Sequence, residues 1–236
     1  MDKNYTHISI LLDRSGSMEK IREDVVGGLN TFVADQKKLP GKVTCSIAQF
    51  DTDYDYIVQA TDLVYVPTFS TMNYVPRGGT ALLDSLDRLI VETGAFLDKL
   101  AEDKKPGQVV FVVITDGEEN ASYYIKDMSV IARSVKHQEE KYSWRFVFLG
   151  ANIDAFTTGA GLGMKGVSYT PTGGGIRHAM GYASAVLGSS RLKAQGKKGA
   201  DVVLQNLMRS ADVDDAGTVA AVDTYAKLAK ESSDKP

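Results

Sequence analysis

Short, almost wholly apolar runs alternate along the chain with stretches whose apolar residues recur every three or four positions. His7–Asp13 (HISILLD) has the pattern of a strand covered on both faces. Met18, Ile21, Val25, Leu29 and Phe32 then form one helical stripe, ended by Leu39-Pro40-Gly41. Lys42–Asp51 alternates, with Val43, Cys45 and Ile47 on one face. Asp51-Thr52-Asp53 reads as a turn that sends Tyr54–Ala60 back as a hairpin. After a looser stretch, Pro67–Gly79, the spacing of Leu82, Leu86, Leu89, Ile90, Phe96 and Leu97 predicts a long helix over Ala81–Glu102. Val109–Thr115 (VVFVVIT) is the most apolar run and is expected at the centre of a sheet. A helix over Ile125–Glu140, a strand over Arg145–Gly150, a short helix over Ile153–Leu162 and an edge strand over Val167–Tyr169 follow. Ile176–Leu192 is a last helix, with Ala179, Gly181, Ala183 and Ala185 on its close-packed side.

Strands separated by helical crossovers imply βαβ units, hence an α/β fold with a mostly parallel sheet, one antiparallel edge strand and helices on both faces. In such a sheet, ligands bind outside the carboxyl ends of the strands, where the strand order reverses. Three segments are expected to meet there: Asp13-Arg14-Ser15-Gly16-Ser17 after the first strand, Arg77-Gly78-Gly79-Thr80 before the long helix, and Thr115-Asp116-Gly117-Glu118-Glu119 after the most apolar strand.

Composition narrows the chemistry. A length of 236 residues fits one main domain, and 43% hydrophobic with 24% charged residues is ordinary globular usage. Twenty-seven basic against 30 acidic residues leave a net charge of −3, which argues against nucleic-acid binding driven by bulk charge. One cysteine, Cys45, excludes a disulfide scaffold, and three scattered histidines leave little for a histidine metal cluster. No signal peptide or membrane span is expected, and a cytoplasmic location follows as the expectation.

What the three segments do offer is oxygen: the carboxylates of Asp13 and Asp116 and the hydroxyls of Ser15, Ser17 and Thr80. Hard divalent cations take oxygen ligands, and Mg²⁺ takes about six in octahedral geometry. Five protein groups leave a position open for a partner's carboxylate. Taken singly, each segment has a plainer reading: an Asx turn or helix cap at Asp13, an N-cap at Thr80, a turn at Asp116-Gly117. Their order along one sheet edge is what favours a metal.

DRSGS at Asp13–Ser17 resembles the DxSxS signature of von Willebrand factor type A domains, and Thr80 in RGGT and Asp116 in ITDGEEN match that family's other two metal segments. LLDRSGSM, RGGTALLDSL, TDGEENAS and FVFLGANIDA are similar to small stand-alone bacterial and phage members. The resemblance spans about residues 5–195. It implies a Rossmann-like, doubly wound, six-stranded sheet and a metal-ion-dependent adhesion site, usually for Mg²⁺, with Mn²⁺ or Ca²⁺ as substitutes. It also implies that Ser15 and Ser17 ligate directly, Thr80 directly or through water, and Asp13 and Asp116 mostly through water. The family's usual partner is a protein whose acidic residue completes the coordination, in some bacterial relatives within an AAA+ ATPase-linked complex.

Arg14, Glu118, Tyr123 and Tyr124, beside these segments, are the candidate partner contacts. Other motifs carry less. In Gly159-Ala160-Gly161-Leu162-Gly163 the third glycine of a dinucleotide fingerprint would fall at Met164. Asp212–Asp223 lacks an EF-hand ligand at Ala216 and has Asp223 where the bidentate glutamate belongs. A metal-dependent hydrolase is the catalytic alternative, but no histidine falls in the three loops, so the chain is expected not to be an enzyme. A structural or assembly subunit whose metal only orders loops is the other alternative. The domain is expected to occupy residues 1–195, and 196–236 to form a tail with short helices at Asp201–Met208 and Thr218–Lys230, docked or mobile.

Overall fold

A computed structural model describes residues 1–151, 155–170 and 172–196. The tail from residue 197 onward, including both short helices expected there, lies outside the described residues.

The first apolar run becomes β1 (Asp2–Asp13), followed by a 3₁₀ turn (Gly16–Ile21) and α1 (Arg22–Lys38). β2 (Lys42–Phe50) and β3 (Tyr54–Asp62) form the expected hairpin, and α2 (Leu82–Asp98) follows the long loop. Next come β4 (Pro106–Thr115), α3 (Met128–Tyr142), β5 (Arg145–Ala151), α4 (Ala155–Gly161), β6 (Lys165–Tyr169) and α5 (Gly173–Ala194). The sheet order is β3-β2-β1-β4-β5-β6; only β3, at one edge, is antiparallel to its neighbour. The expected fold class is the observed one. The chain leaves β1 toward β2 on one side and reaches β4 on the other, so the order reverses between β1 and β4.

Several boundaries differ for local reasons. β1 starts at Asp2, not His7, because the polar residues Asp2–Asn4 continue alongside the start of β4, with a register shift between Asp2 and Thr6. α2 stops at Asp98, four residues short of the expected end, and a separate 3₁₀ turn takes Glu102–Lys104. α3 starts at Met128 because the Asp127 carboxylate accepts the Ser129 amide, an N-cap that overrides the apolar Ile125. In β2, Val43, Cys45 and Ile47 share a face as expected, but the opposite face is also covered.

Each face of the sheet has its own core. Ile8, Ile10, Val112 and Leu149 meet α1 and α5 on one side, while Leu11, Phe111, Val113 and Phe148 meet α2 and α3 on the other. α1 and α5 approach closely at Gly28, where a Cβ would lie 2.6 Å from Met180 Sδ. Lower down, the buried Arg191 guanidinium donates to the carbonyls of Gln36, Leu39 and Pro40, so a side chain of α5 caps the C-terminus of α1.

His7 is enclosed between the sheet and α2. Its Nδ1 is 2.8 Å from Thr44 Oγ1, its ring lies 5.2 Å from Phe96, and Nε2 has no partner. Burial pulls its pKa down to about 4. Below pH 6.5 the unfolded chain gains a proton on His7 that the folded chain refuses, so stability falls as pH drops from 6.5 toward 4, by a total on the order of 3 kcal/mol. His7→Gln is expected to be less stable at pH 7 but to lose less on acidification. Parallel urea midpoints for the two proteins across this window would refute the assignment.

Candidate metal centre

The parallel β1–β4 pairing sets Leu12 beside Ile114, so Asp13 and Thr115 end the two strands together at the point where strand order reverses. Asp13 is fully buried. Its Oδ1 accepts the Ser15 amide at 2.6 Å and its Oδ2 accepts Thr115 Oγ1 at 2.5 Å, while its backbone carbonyl accepts the Tyr74 hydroxyl at 2.6 Å. Tyr169 OH similarly donates to the Thr115 carbonyl. The two strand ends therefore cannot shift independently.

The turn after Asp13 brings Ser15 Oγ to 3.1 Å from Ser17 Oγ, and Ser17 Oγ donates to Asp116 Oδ1 at 2.6 Å. Thr80 arrives from the loop before α2. Its hydroxyl is not spent on capping that helix, because Glu119 does the work. Glu119 Oε2 accepts the Leu83 amide and the Ser122 hydroxyl, and its Oε1 accepts the amides of Ala121 and Ser122. Asn120 Oδ1 accepts the Thr80 amide at 2.8 Å. The convergence is measurable at Gly117, where a Cβ would meet Thr80 Oγ1 at 3.1 Å, Ser17 Oγ at 3.5 Å and Ser15 Oγ at 3.8 Å. Three hydroxyls from two separated segments thus surround one point, with Asp116 against one of them and Asp13 directly behind. Asp13, Ser15, Thr80 and Asp116 are buried, whereas Gly16 and Ser17 are exposed and form the mouth.

Burial raises the Asp13 carboxyl to about 6 against the hydrogen bonds from Thr115 and Ser15, and burial also raises Asp116 against its bond from Ser17. Two carboxylates withdrawn from water next to hydroxyl oxygens suit a hard dication, whose charge would favour their ionised forms. Among the described residues there is no cluster of three His, Cys, Asp or Glu side chains that could hold a metal. The candidate centre differs in kind, since three of its five groups are hydroxyls.

The expected partner contacts divide. Arg14 is turned inward: its side chain is buried, with Nε 2.9 Å from Asp51 Oδ2 and Nη2 2.6 Å from Asp55 Oδ1, so it is an internal ion pair and not a surface contact. Glu118, next to Gly117 in sequence, is exposed. Tyr123 and Tyr124 are 77% and 85% exposed and form a T-shaped pair 5.0 Å apart, held from behind by Asp84, which accepts both their amides. Sequence places Asp51 only in a turn and Glu119 only in the segment after β4, and the backbone-holding roles of Asp51, Asp84 and Glu119 emerge from the structure. Only Asp84, in the first turn of a predicted helix, carried a recognisable signal.

No protein-family model matches the chain, and neither does any curated protein. Solved structures do match. The von Willebrand factor domain of the type V pili tip protein Mfa5 from Porphyromonas gingivalis has a TM-score of 0.53 at 7% identity, covering 77% of this chain and 94% of that one. Proximal thread matrix protein 1 from the mussel byssus also gives 0.53, at 14% identity over 80% of this chain and 46% of that one. A von Willebrand factor type A protein from Catenulispora acidiphila gives 0.44 at 16% identity over 62% and 33%. The chain thus spans less than half the length of the latter two structures. At these identities the likeness shows the fold, and that fold is the Rossmann-like one of type A domains.

The neighbouring acids Glu118 and Glu119 separate two roles. Glu119→Ala is expected to cost about 1–3 kcal/mol in chemical unfolding, because the Leu83 amide at the start of α2 and the Ala121 and Ser122 amides lose their acceptor, while Glu118→Ala stays within about 0.5 kcal/mol. Equal effects would overturn the capping role.

Proposed function

We propose that the chain is a protein-interaction module that holds Mg²⁺, or Mn²⁺ or Ca²⁺ in its place, at Asp13, Ser15, Ser17, Thr80 and Asp116 and captures a carboxylate of a partner protein. The observation that carries this reading is the convergence of the Ser15, Ser17 and Thr80 hydroxyls on one point beside Gly117, between two carboxylates. Two negative charges would balance a dication's two positive ones. Neutral hydroxyl ligands would leave it electrophilic toward an incoming acidic side chain. Glu118, Tyr123 and Tyr124, all exposed, would be the module's partner-facing residues.

The reading places no reaction at the site. His7 is enclosed beside Thr44, and His137 and His178 belong to α3 and α5, so none of the three loops supplies a histidine as a general base. The resemblance to small bacterial and phage domains favours a cytoplasmic assembly, with an AAA+ ATPase-linked complex as the kind of setting. No helix among the described residues is long and apolar enough to cross a membrane. We assign binding to residues 1–195 and treat 196–236 as an appended tail.

Mg²⁺ at about ten times its Kd is expected to raise the melting temperature by about 3 °C. Ser15→Ala/Ser17→Ala is expected to abolish that rise, and an unchanged response in the double variant would sink the metal assignment. Gly117→Ala probes the same point from the other side. Its φ is not in the left-handed region, so the backbone tolerates alanine, but the methyl group enters the space among the hydroxyls. Its melting temperature in EDTA is expected to match wild type while the Mg²⁺ response disappears. Partners recovered from the native host equally well with and without EDTA would overturn metal-dependent capture.

A further inference from the structure

The three metal segments are not held together by their own contacts alone. A fourth element, the turn between β2 and β3, reaches two of them through one residue. Asp51 is 1% exposed, and each of its polar atoms is engaged. Its Oδ2 accepts Arg14 Nε at 2.9 Å and Arg77 Nε at 2.8 Å, and its Oδ1 accepts the Asp53 amide at 2.6 Å. Its own amide donates to the Asp53 carbonyl at 2.9 Å, and its carbonyl accepts the Ala81 amide at 3.0 Å.

The neighbours of those partners are the site residues. Arg14 precedes Ser15, and Ala81 follows Thr80. The two loops also touch directly through Arg77 N to the Arg14 carbonyl, 2.7 Å, and Gly16 N to the Gly78 carbonyl, 3.2 Å. Gly78, at φ +65°, turns the second loop beside Asp51, where a Cβ would lie 3.5 Å from Asp51 Cβ.

We propose that Asp51 is the positioning residue of the centre: its buried carboxylate, shared by Arg14 and Arg77, holds the Ser15 loop and the Thr80 loop in register and so sets the separation of the hydroxyls. The charge is essential. Two guanidinium groups aimed at one oxygen repel each other unless that oxygen is anionic, and a carboxylate accepts both. An amide at this position would present an NH₂ group or a neutral oxygen to two cations. The Asp51 carboxyl is accordingly held below the usual carboxylate range, because the Asp53 amide and both arginines outweigh the effect of burial.

This inference rests on the metal reading only for its consequence; the clamp itself is read separately. Amide hydrogen exchange and Mg²⁺ titration calorimetry on Asp51→Asn, Arg77→Gln and the double variant test both. Exchange at Gly16 and Ala81 is expected to accelerate in Asp51→Asn, while the Val112 amide in β4 keeps its protection. Mg²⁺ affinity is expected to fall by about tenfold to a hundredfold, as when an outer-shell partner of a ligand is lost. Arg77→Gln, at an exposed position, is expected to show smaller changes in the same direction. The double variant is expected to match Asp51→Asn alone, since both act through one contact.

Unchanged exchange at Gly16 and Ala81 in folded variants, Mg²⁺ affinity within twofold of wild type, or additive effects in the double variant would each overturn the proposal. Loss of protection throughout the sheet would overturn it too, by showing general destabilisation. Where Asp51→Asn does not fold, Arg77→Gln decides alone. A wild-type protein with no Mg²⁺ response would end the metal reading, while the exchange at Gly16 and Ala81 would still decide the clamp.

Discussion

The structure is organised around the parallel pairing of β1 with β4. Because the strands run in the same direction and in one register, their carboxyl ends emerge side by side, and the hydroxyl of Thr115 falls on the carboxylate of Asp13. That contact takes place in a fully buried position, where an unpaired carboxylate would be costly. Tyr74 and Tyr169 secure the adjoining carbonyls. Everything the three loops do is measured from this pair of strand ends, and the helices on either face serve to keep the strands dry and straight.

The loops add a second principle, in which neighbouring residues divide the work. Glu119 and Ser122 satisfy the amides that open α2, so Thr80, one residue before the helix cap, does not spend its hydroxyl on the helix. Asp84 fastens the loop bearing Tyr123 and Tyr124 by its amides, which leaves both rings facing outward. Asp13, Asp84 and Glu119, which hold backbone amides, are buried or half-buried, whereas Glu118 is exposed.

The sheet, its antiparallel edge and the meeting of Asp13, Ser15, Ser17, Thr80 and Asp116 were legible because each depends on local signals: apolar runs, turn residues and their order. Arg14 and Asp51 were not. An arginine beside a metal-type motif looks available to a partner, and an aspartate before Thr52-Asp53 looks like a turn residue. Their pairing joins positions 37 residues apart through a hairpin whose geometry no local pattern encodes. The start of α3 was missed for the opposite reason, since a single side-chain cap at Asp127 outweighed apolar periodicity. Likewise β1 reaches back through polar residues because pairing with β4, and not hydrophobicity, extends a strand at the sheet's end.

Gly41 gives the molecule a polarity of its own. It sits at φ +96°, and a Cβ there would press on both the Asn4 carbonyl and Gln195 Nε2, at 2.6 and 2.7 Å. Residues 4 and 195 are therefore neighbours at the foot of α1, beside the carbonyls that Arg191 holds. α1 runs from the mouth down to that foot, so the two places lie at opposite poles. A protein fused or immobilised through either of these positions would present the candidate centre outward, like a plug held by its cable end.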